Sequence, residues 1–138
     1  MTPTSYPDAP GWTGTVSADD LAEGAGLGAT VIDSRAGERY RGEVEPIDAQ
    51  AGHIPGAINR FHGDNLDADG IHRPLAEIAA RFAGVGERPI VYCGSGVTAC
   101  HNLLAMSLVG INQARLYPGS WSEWSNDPAR PIATGDQT

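Results

Sequence analysis

One stretch constrains the chain more than any other: Pro89-Ile90-Val91-Tyr92, then Cys93-Gly94-Ser95-Gly96, then a helical pattern beginning near Cys100. The first four residues read as a short buried strand bounded by Pro and by the glycine-containing loop. Gly94 and Gly96 allow backbone angles closed to other residues, so the chain passes quickly from strand to helix with Cys93 at the junction. Cys100, Leu103, Leu104, Ser107 and Leu108 fall at i, i+3, i+4, i+7 and i+8, the stripe of an amphipathic helix ended by Gly110.

The remaining segments supply partners for that unit. Ala29-Thr30-Val31-Ile32-Asp33, Ala57-Ile58-Asn59 and Ala114-Arg115-Leu116-Tyr117 read as further short strands, the last stopped by Pro118-Gly119. A helix opens at Ser17, with Asp19 and Asp20 in its first turn, and runs to about Glu23. Another follows Pro74 and reaches Phe82, with Leu75, Ile78, Ala79 and Phe82 on one face. Gly42 to Gly56 is expected to be loop. Strands alternating with helices predict an α/β fold, a doubly wound parallel sheet with helices on both faces. Ligands in such sheets sit beyond the carboxyl ends of the strands, where Cys93 lies. The 138 residues make one domain. Residues 15–138 are assigned to it, and residues 1–14, rich in Pro, Thr and Gly, to a flexible N-terminal arm or linker remnant.

The charge balance narrows the partners. The net charge is −8, and all nine basic residues are Arg, scattered from Arg35 to Arg130. Nucleic acid and acidic membrane surfaces are therefore not expected, and any anion site must be local. Cys93 and Cys100 are the two cysteines, without the closely spaced Cys or His ligands of a zinc site, so no metal and no cofactor is expected. Free thiols fit a reducing cytoplasm. The N-terminus has neither a basic start nor an apolar core, and no apolar run reaches membrane-spanning length.

A cysteine between a buried strand and a helix start is placed for an electrostatic purpose. Amides of the Gly-rich loop and the positive helix end converge on its sulfur, and successive amides can curl into an anion-holding nest. Such settings lower a thiol pKa from about 8.5 into a range of roughly 3.5 to 7.5, giving thiolate at neutral pH. Cys100 falls on the apolar stripe of the helix and reads as core.

The run Cys93-Gly94-Ser95-Gly96-Val97-Thr98-Ala99-Cys100 resembles the active-site loop of the rhodanese family, specifically its mercaptopyruvate sulfurtransferase branch. Val31-Ile32-Asp33-Ser34-Arg35 with Arg39-Tyr40-Arg41-Gly42, Gly52-His53-Ile54-Pro55-Gly56-Ala57-Ile58-Asn59, and Tyr117-Pro118-Gly119-Ser120-Trp121-Ser122-Glu123-Trp124 are similar to further family segments. Together they cover residues 15 to about 132. The resemblance implies a rhodanese-like doubly wound sheet. It also implies that Cys93 takes sulfur from a small anionic donor, mercaptopyruvate or thiosulfate, holds it as a persulfide, and passes it to a thiol, thioredoxin or cyanide.

The loop side chains bear on the donor. Thiosulfate-preferring members resemble one another in having basic residues at the two positions after the cysteine; here these are Gly94 and Ser95. A hydroxyl at Ser95 can hydrogen-bond a thiol or carbonyl without adding charge, which suits mercaptopyruvate. With Gly96, Val97 and Thr98, these residues form the expected donor-binding loop. Arg35 matches a family arginine that meets the donor's anionic end and can grip a carboxylate bidentately; the alternative is an ion pair with Asp33. Arg39 and Arg41 are weaker candidates for that role and read more readily as solvated or structural. His53 reads as packing in its Gly-His-Ile-Pro-Gly turn, His62, His72 and His101 show no partner pattern, and Trp121 and Trp124 read as core.

Two rival functions compete with this reading. A phosphatase or arsenate reductase needs an arginine six residues beyond the cysteine, and that position is Ala99. A non-catalytic rhodanese-like carrier or interaction module is the other. Family members of the mercaptopyruvate branch resemble two such domains in tandem, so the resemblance implies a second rhodanese domain as partner, with the Pro-rich start looking like the connection.

Overall fold

The computed structural model describes residues 14–136. Apart from Gly14, the arm expected over residues 1–14 lies outside them. Four strands, β1 (Val31–Asp33), β2 (Ile58–Asn59), β3 (Ile90–Tyr92) and β4 (Arg115–Leu116), form one sheet in the order β2-β1-β3-β4, every pair parallel. The register sets Asp33 beside both Asn59 and Tyr92, so the strands end level at the edge that carries Cys93.

Helices cover both faces. Val31, Ile90 and Tyr92 point into a core with α1 (Ala18–Gly26), α2 (Gly37–Tyr40) and α5 (Ser120–Asn126), through Leu21, Tyr40 and Trp121. Ile32, Val91 and Cys93 point the other way, against α3 (Leu75–Arg81) and α4 (Ala99–Leu108), through Ile78, Phe82, Ala105 and Met106. Strands buried on both sides need apolar residues at every position, which accounts for the unbroken Ile-Val-Tyr and Val-Ile runs. The capping box expected at Ser17 is present: Asp20 N–H donates to Ser17 Oγ at 3.1 Å, and Ser17 N–H donates to Asp20 Oδ2 at 3.0 Å. The helix runs three residues past the expected end.

The buried face of α4 differs from the expected one. Leu104 and Leu108 are 56% and 49% exposed, and Cys100 is exposed. The residues turned inward are Ala99, Asn102, Ala105 and Met106. Small side chains let the helix lie close to the sheet, and one polar residue is drawn in because it is satisfied. Asn102 Nδ2 donates to Ser34 Oγ at 2.8 Å and to the Arg60 carbonyl at 2.7 Å, while its Oδ1 accepts from Asn65 Nδ2 at 2.9 Å. A pattern reading ranks Leu above Asn for burial; the hydrogen bonds reverse the order. Two short elements, α2 and a 3-10 turn at His62–Asn65, have no counterpart in the periodicity.

The observed face is open to test by denaturant unfolding. Asn102→Leu strands three buried polar partners and is expected to cost about 2–4 kcal/mol. Leu104→Ser is expected to stay within about 0.5 kcal/mol of the parent. The reverse ranking would mean that the leucine stripe faces the core.

Candidate functional site

Cys93 follows β3 directly and is 1% exposed. Its sulfur accepts a hydrogen bond from the Gly96 N–H at 3.1 Å. Gly96 has φ +85°, and a Cβ there would stand 2.6 Å from the Pro118 carbonyl oxygen, so no other residue can give its amide to the sulfur without moving the neighbouring turn. That turn holds the loop from outside. Trp121 N–H donates to the Cys93 carbonyl and Ser122 N–H to the Gly94 carbonyl, both at 2.9 Å. Cys93 N–H donates to Ser120 Oγ at 3.1 Å, and that hydroxyl donates to the Tyr117 carbonyl at 2.9 Å. Ser120 adopts φ +55°, a conformation that costs a non-glycine residue free energy and persists where the surroundings enforce it.

A cavity of about 330 Å³ is lined by Cys93, Gly94, Ser95 and Thr98 of the loop together with Arg39, Asp48 and His62 from other segments. Ser95 and Thr98 are exposed at its mouth. Val97 is 72% exposed and is not among the cavity-lining residues; its carbonyl accepts from Cys100 N–H at 3.1 Å.

Arg35 is in the wall, but its guanidinium is committed elsewhere. It is 2% exposed, with Nη2 2.6 Å from Asp33 Oδ2 and 2.7 Å from the Gly52 carbonyl, and Nε 3.1 Å from Asp33 Oδ1. Its Cζ lies 4.8 Å from the centre of the Trp121 ring. Burial alone would lower its pKa; the hydrogen bond and charge of Asp33 outweigh that, and the group stays above its ordinary value. The ion pair, rather than a free fork for a donor carboxylate, is the arrangement present.

Arg39 lines the same cavity, beside Gly94. A methyl group placed on Gly94 would stand 3.6 Å from both of its terminal nitrogens. Its Nη2 reaches Glu45 Oε1 at 2.9 Å and Asp48 Oδ2 at 3.2 Å, while its Nε is buried and takes no hydrogen bond among the described residues. Glu45 joins the two arginines, since its other oxygen lies 3.4 Å from Arg35 Nη1. Burial of Glu45 opposes its ionisation, but the Asp48 and Ile47 amides and Arg39 hold its carboxyl below the usual range.

His53 is packing, as read from the sequence: it is buried, stacked on Tyr40 at 3.8 Å, with Nδ1 2.7 Å from the Tyr40 carbonyl. Trp121 and Trp124 are core. Residues that pattern reading passed over are Ser120, Asp48, Ser122 and a histidine cluster. Asp48 and Ser122 are hydrogen-bonded to each other across the cavity wall. His72 stacks on His101 at 5.8 Å and His101 meets His62 edge-on at 6.1 Å. The histidines stand far apart in sequence, so spacing gave no sign of the cluster. Among the described residues no group of three or more His, Cys, Asp or Glu is arranged to hold a metal ion, and no helix is long and apolar enough to cross a membrane.

Comparison with known proteins follows this geometry. The "probable 3-mercaptopyruvate sulfurtransferase" of Pseudomonas aeruginosa is 55% identical over 79% of this chain and 40% of its own length. SseB of Mycobacterium tuberculosis, which carries a thiosulfate sulfurtransferase name, is 50% identical over 88% of this chain and 47% of its own length. The chain thus spans less than half of each. Among solved structures, an EanB variant with ergothioneine covalently linked to a persulfide cysteine superposes with a TM-score of 0.80, at 29% identity over 88% of this chain and 32% of its own. A family profile described as "Rhodanese-like domain" matches residues 17–127, and the chain belongs to the rhodanese-like domain family.

Proposed function

We propose that this chain is the catalytic domain of a sulfurtransferase that carries sulfur as a persulfide on Cys93, with 3-mercaptopyruvate as donor. The observation that carries the reading is the Gly96 amide 3.1 Å from the Cys93 sulfur, in a cavity that Arg39 also lines. The Cys93 thiolate attacks the donor's sulfur, the S–S bond forms as the donor's C–S bond breaks, and pyruvate leaves. An acceptor thiolate then takes the outer sulfur and returns Cys93. Both the thiolate and the persulfide place negative charge where an N–H already points, so the loop need not reorganise between the two states.

The donor assignment rests on charge. Gly94 and Ser95 add none to the loop, and Asp48 beside Arg39 is unfavourable to a dianion such as thiosulfate. One carboxylate facing one guanidinium suits mercaptopyruvate better. Arg39 takes the anion-binding role, and Ser95 meets the donor's carbonyl or thiol. Names among the relatives include both donors, and EanB shows a persulfide on a related fold. The acceptor is a thiol, either small or carried by thioredoxin, and the domain works in a reducing cytoplasm, which suits its free cysteines. A second rhodanese domain fits as partner, since the relatives are more than twice as long.

Steady-state assays with both donors test this. Cys93→Ser is expected to reduce pyruvate release from mercaptopyruvate to background. A parent clearly faster with thiosulfate than with mercaptopyruvate would overturn the donor assignment, and a Cys93→Ser variant as active as the parent would overturn the mechanism.

The two arginines separate cleanly. Arg39→Gln is expected to raise KM for mercaptopyruvate about 10- to 100-fold, the worth of one charged hydrogen bond, with a smaller stability loss than Arg35→Gln because Glu45 keeps Arg35 and Asp48 keeps Ser122 as partners. Arg35→Gln leaves Asp33 buried and unpaired, so unfolding should show a loss of about 3–5 kcal/mol. A KM effect larger for Arg35→Gln in folded protein would return the donor contact to Arg35.

A further inference from the structure

We propose that His62 is the proton shuttle of the sulfur-transfer step, taking the donor's thiol proton and delivering it to the departing carbon. The inference rests on the sulfur-transfer reading above and assigns a residue to a need that reading leaves open. When Cys93 attacks the sulfur of mercaptopyruvate, the electron pair of the broken C–S bond passes to carbon, giving the enolate of pyruvate. That enolate must gain a proton. The proton on the transferred sulfur must leave if the product is a persulfide anion held by the Gly96 amide. One group near both atoms can move the same proton from sulfur to carbon, and the step then balances with no further reactant.

The cavity offers few candidates. Arg35 and Arg39 stay charged, Asp48 is engaged by Arg39 and Ser122, and the hydroxyls of Ser95 and Thr98 do not exchange protons readily near neutrality. An imidazole does. His62 stands in the cavity wall with Cys93 and Ser95, and its ring is oriented by the backbone. His62 Nδ1 and the His62 N–H both lie 3.0 Å from the Ser34 carbonyl. A carbonyl only accepts, so Nδ1 carries the hydrogen and Nε2 is left with the lone pair. Nε2 takes no hydrogen bond among the described residues and is not among their buried unpartnered atoms. Ser34 is itself fixed to the nucleophile's strand, its N–H donating to the Tyr92 carbonyl at 2.9 Å. The charged and titratable groups around the ring are Arg35, Arg39 and Asp48 in the same cavity lining, His101 on α4 with His72 stacked on it, and Arg81 on α3. Burial first, then His62, His72 and Arg81, lowers the pKa of His101, so His101 tends to remain neutral and adds no charge beside the shuttle.

The test uses His62→Asn, whose amide nitrogen can keep the hydrogen bond to Ser34 while the shuttling nitrogen is lost. Two donors are compared: mercaptopyruvate, which leaves as a carbanion equivalent, and a low-molecular-weight alkyl persulfide, which leaves as a thiolate and needs no proton on carbon. The expected result is a fall in kcat with mercaptopyruvate of about 10²- to 10⁴-fold, with KM little changed and the persulfide donor used at the parent's rate. Equal activity of variant and parent with mercaptopyruvate overturns the shuttle. An equal fall with both donors also overturns it, and marks His62 as structural. A parent that transfers sulfur from the persulfide but not from mercaptopyruvate overturns the donor reading and the shuttle together, leaving the persulfide chemistry of Cys93 standing.

Discussion

The Gly96 peptide lies against the Pro118 carbonyl with no room for a side chain, and the rest of the site depends on that contact. It aims one N–H at the Cys93 sulfur and lets the 117–122 turn approach closely enough to bind the loop at the Cys93 and Gly94 carbonyls and at the Cys93 amide. A loop fixed by a neighbouring turn does not need to be ordered by a ligand, and the amide already points at the Cys93 sulfur. The left-handed Ser120 belongs to the same device: its hydroxyl reaches both the Cys93 amide and the Tyr117 carbonyl only because the backbone turns there.

The opposite wall is organised by charge. Asp33, at the end of a central strand, holds Arg35; Arg35 touches Glu45; Glu45 holds Arg39; and Arg39 reaches Asp48, which meets Ser122 on the turn that clamps the loop. Removing ions from water is expensive, and buried pairs of this kind contribute little net stability. Their effect is positional. Arg35 sets the place of Arg39 through a shared carboxylate, and Arg39 in turn lines the cavity. The chain of contacts joins the two sides of the site.

Much of this was legible in the sequence where a local rule decides the outcome. The four strands, the cap at Ser17, the helix after Pro74 and the position of Cys93 at a strand end follow from β-branched runs, capping chemistry and glycine placement. The resemblance of residues 93–100 and three other segments to rhodaneses identified the family. Three things were not legible. The inward face of α4 is set by the hydrogen bonds of Asn102, which exist only after Ser34, Arg60 and Asn65 have been brought together. The choice between the two readings of Arg35 is set by the Gly52 carbonyl and the Trp121 ring, which join Asp33 around the guanidinium only once the chain has folded. The meeting of His62, His72 and His101 is a product of the crossover from β2 through α3 and back to α4.

The claim at the centre of this account is that Cys93 carries the transferred sulfur. Intact and peptide mass spectrometry of the protein after incubation with mercaptopyruvate, without an acceptor, addresses it directly. The account predicts the added mass of one sulfur atom on the peptide containing Cys93, removed again by a reduced thiol or cyanide. Pyruvate release with no sulfur on that peptide, or sulfur found on Cys100 alone, would contradict it.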